Sequence, residues 1–299
     1  MILVKYEQAE IWGRIALATL ERTGGNDRLL SLALNNLGLA HMRRGKYDES
    51  LDDYRAVAAG ERAQAPIEVS RSLNNMGLTL ARQEKYEEAL VQFERAHALQ
   101  EKSLGADHPK VGSSLMNMGV MLKNQGKYDQ ALAYYRRSLD IKEKSLGRDH
   151  SMLATNLENI GNILTTQKKY QEALESFERA RLLTERSFGR DHPNVAVYLR
   201  SIGGLYVAWG RPADAVPVLE RALAISKSVD REAVHYCRSF FDLAQAFGQL
   251  KKEPQRRRTL AEQARECFRG GGEGKNKADL AEIEKWLAKD VSRASAPGR

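Results

Sequence analysis

A repeat of about 42 residues is the feature that most constrains the fold of this chain. Five glycines recur at spacings of 39, 42, 42 and 42 residues, each with Leu four positions before it. A small residue follows each glycine after twelve positions, and a large apolar residue follows after sixteen. Such periodicity is typical of arrays in which every unit stacks on its neighbours. The glycines are Gly38, Gly77, Gly119, Gly161 and Gly203.

Each repeat reads as a pair of amphipathic helices. In the third unit, apolar or small residues between positions 115 and 122 recur at the i, i+3, i+4, i+7 spacing of a helix face. Gln125-Gly126-Lys127 interrupts the pattern, and a second stripe runs from Tyr128 to Tyr135. Glycine inside a helix costs roughly 1 kcal/mol relative to alanine. Gly119 and Ala131 therefore predict a close approach of two antiparallel helices.

Recurring turns separate the repeats, with the pattern Gly-x-Asp-His-Pro or Gly-x-Asp-His-Ser at 105–109, 147–151 and 189–193. The glycines suit a left-handed position at the end of a helix, and Pro109 and Pro193 suit the first turn of the next helix. The Asp-His pairs occur once per repeat, too far apart to share a metal. We therefore predict that they cap helices and bind no metal.

These repeats resemble the tetratricopeptide (TPR) repeat, and the Leu-Asn-Asn-x-Gly helices with Asp-His-Pro linkers resemble the kinesin light chain type. The resemblance covers residues 31–228. It implies an all-α, right-handed superhelical solenoid of antiparallel helix pairs with a concave groove and a C-terminal capping helix. In the kinesin light chain type, the matching asparagines contact cargo peptides, which here implies Asn36, Asn75, Asn117 and Asn159.

The repeat register predicts how the chain is divided. Lys5–Ala9 matches Lys127–Ala131, so the chain begins with the second helix of a repeat. This layout resembles the C-terminal regions of bacterial eukaryote-like Ser/Thr kinases, which implies a docking region of a larger signalling protein whose kinase domain lies outside this chain. The predicted segments are a half-repeat helix (1–24), five TPR units (27–230), a degenerate sixth repeat (231–269), a Gly-rich linker (270–275), a capping helix (276–290) and a frayed tail (291–299).

A polar row on the first helices predicts the binding function. An Asn two positions before each of the first four repeat glycines can pair with an extended peptide backbone, and Ser201 and Ser239 continue the row. Basic residues beside this row favour a partner peptide with acidic residues, and Leu39, Leu78, Val120 and Met42 supply an apolar floor. The predicted peptide-binding residues are Asn36, Asn75, Asn117, Asn159, Arg43, Arg71, Arg82, Lys123, Asn124 and Arg200.

Two alternatives stay open. The unpartnered face around Trp12 favours self-association, and the net charge of +8 with Arg256-Arg257-Arg258 favours nucleic acid less strongly. Catalytic, phosphate-loop and metal-ligand motifs are absent from the sequence, so we expect no enzyme activity, no cofactor, no metal and no membrane partner.

Cysteine content bears on the compartment. Cys237 and Cys267 are the only cysteines and form no Cys-x-x-Cys pair. A disulfide framework or a cysteine-rich zinc site is therefore not expected, and a reducing, cytoplasmic location is predicted.

Overall fold

A computed structural model describes residues 2–24, 27–59, 66–226, 234–270 and 276–294 in two compact units, Met1–Arg148 and Asp149–Arg299. Over these ranges the regular structure is α-helix, with a single 3₁₀ turn at Ser151–Leu153. The predicted all-α architecture of helix pairs is confirmed. None of these described helices combines the length and apolarity needed to cross a lipid bilayer.

In its described residues, the first unit contains three helix pairs preceded by a single helix. In each pair the two helices pack on each other, and the first helix also packs on the second helix of the preceding pair. Helix α1 contacts α2 just as α3 contacts α4. The helices are α1 (Ile2–Thr23), α2 (Asp27–Arg43), α3 (Tyr47–Ala59), α4 (Pro66–Arg82), α5 (Tyr86–Leu104), α6 (Pro109–Asn124) and α7 (Tyr128–Leu146).

The second unit repeats this arrangement and ends in α14, which packs on α13 through the buried residues Ile283 and Leu287. Helix α14 runs four residues beyond the predicted capping helix, into the predicted tail. Residues 271–275 of the predicted linker and the tail after Ala294 lie outside the described residues. The helices are α8 (Ala154–Thr166), α9 (Tyr170–Phe188), α10 (Pro193–Ala208), α11 (Pro212–Ser226), α12 (Val234–Leu250), α13 (Pro254–Gly270) and α14 (Lys277–Ala294).

A buried charge holds α1 against α2. Glu10 is buried, and its carboxylate accepts hydrogen bonds from Arg44 and Lys46 as well as from Arg14 on its own helix. Burial by itself raises the pKa of Glu10, but the hydrogen bonds from Lys46 and Arg44 outweigh it and lower this pKa to about 2. The docking of α1 therefore depends on an ionised carboxylate as well as on apolar packing.

The repeat glycines accommodate an aromatic or aliphatic side chain of the paired helix. A Cβ on Gly119 would lie 2.7 Å from Cε1 of the buried Tyr135. The sequence pattern predicted two closely approaching backbones, whereas the group that needs the space is a ring. The close approach itself is confirmed, and the residue sixteen positions after each glycine is its partner.

The inter-repeat turns end and begin helices as predicted, with one difference in geometry. His108, His150 and His192 each accept a hydrogen bond at Nδ1 from the backbone N–H two residues later. Gly105 has the expected positive φ of 84°, but its ψ of 157° is extended rather than left-handed helical. This region of backbone conformation is essentially restricted to glycine. The capping role of the Asp-His pairs is thus confirmed for histidine.

The two cysteines overturn an expectation. Cys237 and Cys267 form a disulfide that joins α12 to α13, with Cα atoms 5.4 Å apart. Thirty residues separate them in sequence, but the antiparallel pairing of the two helices makes them neighbours, which a motif search cannot detect. Because disulfides persist mainly in oxidising compartments, the cysteine content no longer supports a reducing one.

Candidate functional site

Four positions on each first helix share one face, which we call the first-helix stripe: six and two residues before the repeat glycine, and one and five after it. On α4 these are Arg71, Asn75, Leu78 and Arg82, and all four are exposed or half-buried. On α6 the corresponding residues are Ser113, Asn117, Val120 and Asn124, of which Asn124 is exposed and the other three are half-buried. The stripe is therefore available to a ligand along both helices.

A cavity of about 200 Å³ lies between α4 and α6. Three predicted binding residues line it together, namely Arg71, Asn75 and Asn117. The side chains of Asn75 and Asn117 are half-buried and make no hydrogen bond within the described part of the chain. Their amide groups can both donate and accept, so they are free to pair with a peptide main chain.

The base of this cavity presents hydrogen-bond acceptors. Gln100 of α5 donates weakly to the hydroxyl of Ser70 at 3.5 Å, and Asn74 donates to the Ser70 carbonyl at 3.0 Å. Their own amide oxygens, Gln100 Oε1 and Asn74 Oδ1, are buried and have no hydrogen-bond partner in the part of the chain that the structure describes. An unsatisfied buried acceptor costs roughly 1–3 kcal/mol. A ligand N–H group that reached either oxygen would satisfy it.

The charge around the cavity is positive. Arg71 Nη1 lies 3.1 Å from Glu68 Oε2, so this cation is largely compensated. Lys110, which lines the same cavity, has no carboxylate within ion-pair distance among the described residues. The same holds for Arg82 and Lys123 at the C-terminal ends of α4 and α6. Acidic groups are consequently favoured close to the stripe.

The other predicted residues of the first unit lie on the stripe or beside it but outside the cavity. Asn36 and Arg43 are exposed on α2, and neither has a hydrogen-bond or ion-pair partner in the described structure. Arg82, Lys123 and Asn124 lie at the ends of their helices. Of the predicted apolar floor, Leu39 and Leu78 are exposed, whereas Met42 is buried in the core.

In the second unit the polar row of the first helices is only partly accessible. Asn159 is half-buried and its side chain makes no hydrogen bond to the described residues, like the asparagines of the first unit. Ser201 and Ser239, expected to continue the row, are buried and donate to carbonyls of their own helices. Arg200 lines a different cavity and lies 3.8 Å from the buried carboxylate of Asp242.

Two residues that line the first cavity, Lys110 and Gln100, were not predicted from the sequence. Lys110 lies three and seven residues before Ser113 and Asn117, a spacing that places it on the same helix face. Gln100 occupies a repeat position that carries Lys142 and Thr184 in the next two units, all of them buried. A polar residue recurring at a buried position was the available signal.

The cluster that suggested nucleic-acid binding is paired internally. Arg256 contacts Glu220 and Glu253, Arg257 contacts Asp290, and Arg258 contacts Glu262. Since carboxylates already compensate all three guanidinium groups, this cluster offers little net charge to a phosphate backbone.

Comparison with known proteins agrees with the repeat geometry. Tetratricopeptide repeat models match residues 31–63, 68–144, 111–180 and 151–228, whereas no curated protein matches the chain by sequence. Solved structures share the fold. BtubC (BKLC) from P. vanneervenii is 19% identical with a TM-score of 0.67, covering 75% of this chain and 91% of that one.

Two further structures extend this agreement. A putative kinesin light chain from Podosopora anserina with nearly identical TPR-like repeats is 22% identical with a TM-score of 0.57, covering 71% of this chain and 100% of its own. The apo form of the quorum sensor NprR from B. thuringiensis is 16% identical with a TM-score of 0.65, and the match covers 97% of this chain and 83% of the NprR chain. The similarity to TPR arrays of the kinesin light chain type is confirmed at the level of the fold. The tetratricopeptide repeat models match more than half of the chain, which therefore belongs to the tetratricopeptide repeat family.

Proposed function

We propose that this chain is a protein–protein interaction scaffold that binds an extended, acidic peptide segment on the first-helix stripe of its first unit. The observation that carries the proposal is the pair Asn75 and Asn117, which line one cavity with unused amide groups. Two asparagines in register can pair with successive main-chain groups of an extended peptide. The acceptors of Gln100 and Asn74 at the base of the cavity suit its N–H groups.

Charge and apolar surface add selectivity to this main-chain binding. Arg43, Arg82, Lys110 and Lys123 lack carboxylate partners among the described residues, so acidic side chains gain charge-assisted hydrogen bonds there. Leu78 lies between Asn75 and Arg82 on the stripe and is 39% exposed. A partner segment with acidic residues around an apolar or aromatic anchor satisfies both features. In the second unit, Asn159 is available for the same main-chain role.

A random peptide library tests the proposal. Twelve-residue peptides selected on the intact chain should be acidic with an apolar anchor. Arg82→Glu combined with Lys123→Glu should abolish their binding, whereas Arg55→Glu combined with Arg95→Glu, which reverses two exposed charges on second helices, should leave it unchanged. Asn75→Ala should weaken all selected peptides by roughly 1–3 kcal/mol, whatever their sequence. Unchanged affinity in the Arg82 and Lys123 variant would show that the site is misplaced.

The wider setting is also a proposal. A surface that binds the main chain and the acidic side chains of a peptide suits a docking region of a larger signalling protein. The resemblance of the sequence layout to kinase C-terminal regions implies such a setting. Sequencing the natural reading frame on either side of these residues tests it. A kinase domain in the same frame supports this setting, and a frame that encodes none contradicts it.

Self-association through α1 is a second candidate. Ile11, Trp12 and Ile15 form an uncharged patch on one side of the helix, and Trp12 is 68% exposed. Contiguous exposed apolar residues of this kind mark interaction surfaces. Light scattering should show a dimer that Trp12→Glu dissociates, while Leu182→Glu, at an exposed apolar residue of α9, does not affect it. A parent chain that remains monomeric at high concentration contradicts this candidate.

A further inference from the structure

The second unit contains a cavity that a glycine, Gly204, helps to line. Gly204 occupies the position directly after a repeat glycine, where the first unit has Leu39, Leu78 and Val120. Of the groups that the structure describes, a Cβ on Gly204 would meet only the carboxylate of Asp242, with Oδ2 at 3.4 Å. The space that a side chain would fill is part of a cavity of about 260 Å³, which Arg200 and Asp242 also line.

Asp242 faces this cavity with an incomplete set of hydrogen bonds. The residue is only 4% exposed, and its Oδ1 accepts from Arg238 Nε at 3.3 Å. Among the described residues Oδ2 has no hydrogen-bond partner, and Arg200 Nη1 lies 3.8 Å from it. Nε of Arg200 is likewise buried without a partner. Burial raises the pKa of Asp242 against the opposing effect of the two arginines, which reflects this poor solvation.

The charges around Asp242 select against an ionic ligand. A second carboxylate would be repelled by Asp242, and an ammonium group by Arg200. Arg238 is not available for an anion, because Asp279 and Glu282 also contact it at 2.8 Å each. A neutral group with a donor next to an acceptor meets both needs. The carboxamide of glutamine or asparagine is such a group.

We propose that this cavity binds the side-chain carboxamide of a glutamine or asparagine in the partner, whose NH₂ donates to Asp242 and whose C=O accepts from the Arg200 guanidinium. Asn162 and Gln245, which line the same cavity, offer further amide groups to the ligand. The inference rests on the proposed peptide-binding function and adds a side-chain preference to it. It concerns only the second unit, so it can fail while the site in the first unit stands.

Capped amino acids test this without a known partner. In the intact chain labelled with ¹⁵N-arginine, the Arg200 Nε–H signal is assigned by its loss in Arg200→Lys. N-acetyl-glutamine methylamide should shift this signal saturably. N-acetyl-alanine methylamide, which has only main-chain amides, should not, and N-acetyl-glutamate methylamide should bind at least about tenfold more weakly. No saturable shift, or an equal response to the alanine or glutamate probe, overturns the proposal.

Filling the cavity provides the second arm. Gly204→Leu restores the kind of residue found in the first unit and should abolish the response to the glutamine probe. Gly204→Ala, whose Cβ makes only an ordinary contact, should weaken it and guards against a folding defect in the larger variant. Asn75→Ala with Asn117→Ala should leave the Arg200 response intact. If those two changes abolish acidic peptide binding while Arg200 never responds, the main proposal stands and this one fails.

Discussion

The ring of Tyr135 lies against Gly119 so closely that a methyl group on that glycine would stand 2.7 Å from the ring. Tyr135 is fully buried and cannot turn towards solvent. The same contact joins the other repeat glycines to the residue sixteen positions later. The five pairs are Gly38 with Tyr54, Gly77 with Phe93, Gly119 with Tyr135, Gly161 with Phe177, and Gly203 with Leu219.

Gly119→Ala should lower the free energy of unfolding. Overpacking against a buried ring costs roughly 1–3 kcal/mol, which exceeds the gain of up to about 1 kcal/mol in helix propensity. Urea denaturation followed by circular dichroism measures the change. Gly204→Ala is the matched control, because its new Cβ meets nothing closer than 3.4 Å. Equal effects of the two substitutions would rule out the ring contact as the cause.

Glu10→Gln should loosen α1 while leaving the helix pairs folded. The substitution removes the charge that Arg44 and Lys46 bind, and hydrogen bonds to charged groups contribute roughly 1.5–3 kcal/mol each. Hydrogen exchange should become faster in α1 and stay unchanged in α9. Glu7→Gln is the control, because Glu7 is exposed and reaches Arg44 only at 3.8 Å. Equal acceleration by both variants would contradict a specific role for Glu10.

Acid should release the same helix. The folded-state pKa of Glu10 lies at about 2, below its ordinary value of 4.5. A carboxylate with a lowered pKa contributes stability that is complete above its unfolded value and is lost as pH falls through the folded one. The protection factors of the α1 amides, which are corrected for the pH dependence of intrinsic exchange, should therefore fall in the parent chain between these two values. In Glu10→Gln this fall should be smaller, and an identical pH profile of protection in both chains would contradict the role of Glu10.

His108→Ala should destabilise the start of α6 by about 1 kcal/mol, the usual effect of losing an N-cap. The imidazole Nδ1 is the acceptor for the Lys110 backbone N–H at 3.1 Å. His108→Asn keeps an acceptor at the cap and should retain most of the stability. Thermal unfolding measures both variants. Asp107→Ala should have little effect on stability. A loss of stability equal to that of His108→Ala would show that the aspartate contributes to the cap as much as the histidine does.

Breaking the disulfide should weaken the second unit. Replacing Cys237 and Cys267 by alanine opens a closed loop of about 30 residues, for which chain entropy predicts a loss of roughly 3–4 kcal/mol. Thermal unfolding with and without reductant checks this. Reductant should lower the melting temperature of the parent chain but not that of the double variant. A parent chain insensitive to reductant would show that the bond does not contribute to stability.

Local rules explain which parts of the molecule could be predicted. Residues close in sequence predict the helix pairs, the space that Gly119 leaves for a side chain of the next helix, and the cap at His108. Glu10 was within reach, because it occupies the position that carries the buried Leu51 and Leu132 in other repeats. A charge at a core position indicates a buried partner.

The remaining features depend on which helices become neighbours. Arg200 was expected to meet a ligand's acidic group, but the packing of α10 against α12 brings it to Asp242. The disulfide has the same origin in the pairing of α12 with α13. Neither contact has a signature in residue spacing, since both depend on the rotation of one helix relative to another.

The inter-repeat caps use imidazole where most helices use a hydroxyl or a carboxylate. Each ring accepts through Nδ1 from the backbone N–H two residues later. His108, His150 and His192 repeat this chemistry. Each repeat that ends in such a turn therefore carries the start signal for the helix that follows it, so a repeat copied together with its turn needs no new capping residue.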